Sequence, residues 1–273
     1  MHHEDETSNM NKFLCFAAVV LWATRSLAHD AWVETHTSIV RTGDAAHISL
    51  LLGNHGNSHR DFKLAGKVDL RHAQCELIRP DGNKLDLKPT LFDVGYAPAE
   101  GYWSTRFVAA EPGLYTVNHL SDQVMSYAPV RSIKGAKAYF VVSDSLDRVS
   151  RKYGGFERPL EHPLELIPTA HPITPMGVGV PIRVRLVYRG KPLAGARVSF
   201  IPRSVSLSDG FDATYERTTD DRGEAAFTPT LGTQHLVVAH HEEPNERGEG
   251  FDRTKYSATL TIFVPQICPC CQE

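Results

Sequence analysis

The sequence predicts an all-β chain of two antiparallel β-sandwich domains joined by a Pro-rich connector, and three observations carry that reading. Short stretches of apolar alternation recur along the chain, each bounded by Gly, Pro, Asn or Asp. No stretch of helical period lasts more than a few turns. The prolines Pro159, Pro163, Pro168 and Pro172 hold an extended passage that separates a first group of strand signals from a second.

Taken in order, the first element is a signal peptide over 1–28. Lys12 precedes the apolar run Phe13 to Ala23, and Ser26 and Ala28 place small residues three and one before His29, the pattern of a cleavage site. Glu4, Asp5 and Glu6 suit the start of such a segment badly, so translation from Met10 competes with translation from Met1. The apolar run is far short of the roughly 20 residues of a membrane span, and none follows it. The mature chain is therefore expected to begin at His29 and to be periplasmic or secreted, without spanning a membrane.

Residues 29–143 form the first predicted sandwich, with strands at Ala46 to Leu52, Cys75 to Arg79, Ser104 to Val108, Leu114 to Leu120 and Lys137 to Val142. Pro80-Asp81-Gly82-Asn83 and Glu111-Pro112-Gly113 are its corners, because Pro presets φ and Gly accepts φ above zero. The connector spans 144–180, with a short surface helix expected over Asp144 to Tyr153. The second sandwich, immunoglobulin-like or transthyretin-like, spans 181–265. Its strands are Ile182 to Tyr188, one after the Gly190-Lys191-Pro192 turn, one after Thr219-Asp220-Asp221-Arg222-Gly223, then Gln234 to His241 and Ser257 to Val264. A tail, 266–273, carries Cys268, Cys270 and Cys271, whose spacing matches no closed zinc site. Cys75 reads as a small buried residue.

Composition narrows the function. A net charge of -3 with both signs spread along the chain gives no footprint for nucleic acid or an anionic membrane. No Gly-x-Ser-x-Gly, His-Glu-x-x-His or phosphate-cradling Gly-rich loop occurs, so the chain is not expected to be an enzyme. Fourteen histidines are present, of which only His2 and His3 precede the cleavage site, and histidine richness outside the cell favours metal binding.

His29 is the sharpest candidate ligand. Cleavage gives it an α-amine beside its own imidazole, and the two nitrogens chelate one ion together. Asp30 adds a carboxylate or orients a ring. Asn54-His55-Gly56-Asn57-Ser58-His59 follows a strand as an exposed loop at one end of the sandwich, making His55 and His59 the next candidates. His119 is read at the end of a strand. In His240-His241 adjacent residues present opposite faces, so one of them, His240, joins a given site. Nitrogen donors of this kind suit Ni and Co, with Cu and Zn as alternatives.

Five pieces in order resemble a bacterial family of secreted two-domain proteins of unknown function, tied to the periplasmic side of nickel or cobalt uptake. They are Ala28-His29-Asp30-Ala31-Trp32-Val33-Glu34; Thr42-Gly43-Asp44 with Leu52-Gly53-Asn54-His55; His162-Pro163-Leu164-Glu165-Leu166-Ile167-Pro168; Tyr188-Arg189-Gly190-Lys191-Pro192-Leu193-Ala194-Gly195-Ala196; and Thr219-Asp220-Asp221-Arg222-Gly223. The resemblance implies an extracytoplasmic metal-handling role, ligation by His29 and His55, and a membrane metal transporter as partner. The expected function is thus a periplasmic protein that binds a divalent transition metal as an accessory to nickel or cobalt uptake. Two rivals remain. One is a structural or adhesive sandwich that binds a protein or envelope polymer; the other is a copper-dependent oxidase using the same terminal histidine.

Overall fold

The computed structural model describes residues 29–53, 55–56, 59–60, 66–98 and 100–266, with the backbone alone at 55–56 and 59–60. The expected signal peptide and the three tail cysteines lie outside the described residues. The first half contributes β1 (Asp30–Thr35), β2 (Ile39–Arg41), β3 (Ala45–Gly53), the short pair β4 (His55–Gly56) and β5 (His59–Arg60), β6 (Ala73–Ile78), β7 (Lys84–Asp86), β8 (Phe92–Ala97), β9 (Glu100–Val108), β10 (Gly113–Val124) and β11 (Val130–Ser143). The second half adds β12 (Leu164–Pro168), β13 (Ile182–Tyr188), β14 (Lys191–Pro192), β15 (Arg197–Pro202), β16 (Glu216–Thr218), β17 (Glu224–Phe227), β18 (Gln234–Glu243) and β19 (Arg253–Phe263). The only helical turns among the described residues are two 3₁₀ turns, Leu70–His72 and Lys88–Thr90.

The chain is all-β, and its sheets stack face to face as sandwiches. One layer is the sheet β1-β3-β9-β8, and another is β12-β13-β14 with β17 beside β13. Between them runs a nine-stranded sheet, β16-β15-β18-β19-β11-β10-β6-β7, with β2 beside β11. The two halves meet within that sheet, where β11 and β19 pair in parallel from Val130↔Arg253 to Ala138↔Thr261.

β11 is the spine because its sequence satisfies two cores at once. Ala136, Ala138, Phe140 and Val142 face one core with Tyr115 and Val117 of β10 and Ile48 and Leu50 of β3. Ile133, Tyr139 and Val141 face the other, with Leu164 and Leu166 of β12 and Val184 and Leu186 of β13. A period-2 strand buried on both faces reads as a nearly continuous apolar run, and Ala138 to Val142 of β11 does. Trp32 and Leu51 point away from the first core and meet Ile201, Leu236 and Val238 of β15 and β18, clamping the first sheet onto the second half.

The passage 144–180 includes β12, which pairs with β13 from Leu164↔Tyr188 to Pro168↔Val184. The surface helix expected over Asp144 to Tyr153 is absent. There the backbone turns instead on serine side chains: Ser145 Oγ accepts from the amides of Asp147 and Arg148, and Ser150 Oγ accepts from that of Lys152. Such local bonds compete with helical ones and win in a short segment.

Candidate functional site: the start of β1 on the central sheet

β1 begins over a polar part of the central sheet. The register aligns Ser121, Lys134, Ser257 and His240 in one row across β10, β11, β19 and β18, with their side chains on the face that β1 crosses. Three bonds fasten β1 there. Lys134 Nζ donates to the His29 carbonyl, His240 Nε2 donates to Asp30 Oδ1 at 2.8 Å, and Thr259 Oγ1 donates to the Ala31 carbonyl at 2.8 Å. The first residue of the expected mature chain is therefore tethered through its carbonyl, which leaves its amine and ring uncommitted by that bond.

Exposure assigns the roles within the Asp30–His240 pair. The Asp30 side chain is 2% exposed and that of His240 56%. A carboxylate accepts only, so Nε2 carries the proton and donates, which turns Nδ1 away from Asp30 on the outward-facing ring. That is the arrangement in which a buried carboxylate orients a ligating imidazole. His241 points to the other face, as adjacent strand residues must, and packs on Tyr188 with ring centroids 4.4 Å apart.

The remaining candidates fall as follows. Asp30 pairs with Gly53, so β3 ends beside the start of β1. His55 opens β4 two residues further, within about 7 Å of chain; β4 and β5 pair as His55↔Arg60 and Gly56↔His59. The His55 and His59 side chains lie outside the described residues. His119 is not at a strand end, since β10 continues to Val124, and it is fully buried, with Nδ1 2.9 Å from the Gln74 carbonyl. It lies one row from Lys134 on the same face. Among the described residues no three His, Cys, Asp or Glu side chains cluster to hold a metal ion. The structure thus pairs Asp30 with His240 beside the His29 backbone, runs the His55 strand away from the same edge, and holds His119 in the interior.

Buried histidines give the fold an acid sensitivity: burial pushes His235 and His171 down, and His119 and His162 furthest. Burial pushes His119 down to about 4, partly offset by the Gln74 carbonyl, and pushes His162 down to about 3, with nearby Lys137 adding to the effect. His162 lies on Gly135 of β11, where a Cβ would stand 2.5 Å from its Nδ1. Both rings are neutral when folded and bind protons below about 6.5 when unfolded. Stability is therefore expected to be constant above that pH and to fall as pH drops from 6.5 toward 4, by up to about 1.4 kcal/mol per pH unit for each ring. Urea midpoints measured from pH 7 to 4 check this; in His119→Gln the slope should become shallower by up to about 1.4 kcal/mol per pH unit.

Sequence reading missed Lys134 and Lys137. The signal was present: lysines at 134 and 137 interrupt a run otherwise suited to double burial, so each must meet a partner inside. Burial pushes Lys134 down from its ordinary value, and Asp30 opposes the shift. Beyond His29, on the same sheet face, lies a cavity of about 170 Å³ whose floor includes Lys134, Ser132 and Lys255.

No helix among the described residues is long and apolar enough to cross a membrane. No curated protein sequence matches the chain significantly. Among solved structures, the D0-D1 domain of intimin aligns at 13% identity over 86% of this chain and 98% of its own, with a TM-score of 0.21. The adhesin InvE of Yersinia pseudotuberculosis aligns at 12% over 85% of this chain and 58% of its own, with a TM-score of 0.22. A DUF4785 family protein from Legionella pneumophila aligns at 10% over 76% and 52%, with a TM-score of 0.27. Scores this low carry no argument about function. A domain of unknown function, DUF4198, matches residues 26–243, from the expected cleavage junction to the end of β18, and the chain belongs to that family.

Proposed function

We propose that the protein binds a divalent transition metal at the start of β1, as an extracytoplasmic accessory of nickel or cobalt uptake. The observation that carries this is the pairing of His240 with the buried Asp30 carboxylate beside a tethered His29. His29 supplies amine and ring nitrogen, His240 supplies Nδ1, and the adjacent His55 strand supplies a further imidazole, an all-nitrogen set suited to Ni, Co or Cu. A membrane transporter receives the ion. Nothing in this reading requires the protein to turn over a substrate.

Calorimetric titration of nickel and cobalt into protein exported and processed in a bacterial host tests the reading. Saturable binding that weakens about tenfold or more in His240→Ala and in Asp30→Asn supports it. No binding tighter than millimolar, in wild type and with every metal tried, overturns it.

A second reading rests on β8, an edge strand whose Phe92 and Tyr96 are 52% and 68% exposed. An exposed aromatic edge is what a structural or adhesive module would offer to an extended partner. Absence of metal binding favours this reading.

A further inference from the structure

The rows beyond His29 continue the polar face of the central sheet into the cavity. Gln123, Ser132 and Lys255 form the row after Ser121 and Lys134, and Arg253 of β19 follows. Ser121, Gln123, Ser132, Lys134, Arg253 and Lys255 all line the cavity, and Lys67 borders it from the opposite side. The single acid in that lining is Asp69, which is held by Arg71; outside the lining, Asp93 pairs with Lys67, and Glu242 and Asp252 pair with Arg253.

Two features distinguish this from an ordinary charged surface. Lys134 is buried, its one side-chain hydrogen bond among the described residues goes to a neutral carbonyl, that of His29, and the opposite charge that acts on it, Asp30, is itself hydrogen-bonded to His240. An ammonium has three donors, so two are left for whatever occupies the cavity. Ser121 and Ser132 are also buried and line the cavity, and the Ser257 hydroxyl in the Lys134 row is buried with no hydrogen-bond partner among the described residues. Buried donors facing a common space in a cationic setting are complementary to an oxyanion.

We propose that this cavity binds a small oxyanion, carboxylate- or phosphate-bearing, held by Lys134 and the Ser121 and Ser132 hydroxyls with Lys255 and Arg253 at the rim. A volume near 170 Å³ admits a ligand of citrate or phosphate size and no polymer. Because His29 lines the cavity, the anion sits next to the first residue of the expected mature chain. The site does not depend on metal at His29.

The test uses exported, processed protein passed over a chelating resin, so that metal and anion are separated. Titration with citrate and, separately, with inorganic phosphate is followed by calorimetry at low salt. Saturation by citrate alone identifies the ligand as a carboxylate, saturation by phosphate alone as a phosphate, and either supports the site. Lys134→Met is expected to weaken binding about tenfold or more, the loss of a charge-assisted bond. Since Lys134 is interior, Lys255→Met at the rim provides a second variant, expected to weaken binding several-fold in a folded protein. Arg189→Gln, beside the larger cavity of about 570 Å³ on the opposite face, should change nothing. Failure of both anions to saturate, or saturation unaffected by both lysine variants, overturns the proposal whether or not nickel binds.

Discussion

Lys137→Met is expected to lower the stability of the protein by about 3–5 kcal/mol, measured as a shift in the urea midpoint. The Lys137 and Glu165 side chains are 2% and 1% exposed, with Nζ and Oε1 2.8 Å apart between β11 and β12. Burial pushes the ammonium down and Glu165 holds it up. Without the lysine a carboxylate is left uncompensated in the interior. Glu165 Oε1 also accepts from the Leu160 amide at 2.7 Å, which fixes the chain entering β12. Lys137→Met combined with Glu165→Gln removes both charges and keeps that acceptor, so the double variant should regain most of the loss. A loss below about 1 kcal/mol in the single variant, the size of an exposed ion pair, contradicts the assignment.

Trp32→Ala is expected to cost about 3–5 kcal/mol and to loosen β1 selectively. Trp32 is fully buried and packs with Leu51 of β3 against Ile201, Leu207, Leu236 and Val238. Its Nε1 donates to Glu34 Oε2 at 3.3 Å, and Arg203 reaches the same oxygen at 2.7 Å, so a second tie from β1 to the far half depends on the indole. β1 begins at Asp30, directly after His29, and loss of this clamp should speed hydrogen exchange of the β1 amides more than those of β18 and β19. Uniform acceleration across the three strands, or none, would show that β1 is held by its hydrogen bonds alone.

Strands with one wet face were legible in the sequence. Ile182 to Tyr188 alternates as a half-buried strand should and is β13 to the residue. Thr219 to Phe227 is a turn built by Asp220 Oδ1, which accepts from the amides of Arg222 and Glu224, with Gly223 at φ +72. The parallel joint between β11 and β19 was not legible, since strands more than 100 residues apart carry no turn signal that fixes their order. β12 was hidden because prolines bracket it, and its partner in charge, Lys137, sits in the other half of the chain.

At the site, the sequence identified His29, Asp30 and His240 separately, from a cleavage pattern, a neighbour and a strand end. The pairing of Asp30 with His240 beside the His29 backbone arises from the row that places His240 level with Lys134, which only the register supplies. His119 looked equivalent to the others because its burial depends on how far β10 runs. The same limit hid Lys134, whose role rests on what β1 lays over it.

The claim that metal is held by the terminal amine of His29 is tested most directly by one comparison. Nickel affinity is measured for the chain beginning at His29 and for the same chain with a single alanine before it. The account predicts a loss of about tenfold or more, at least about 1.4 kcal/mol, with unfolding unchanged, because the alanine moves the free amine away from the imidazole. Equal affinities in the two proteins would contradict it.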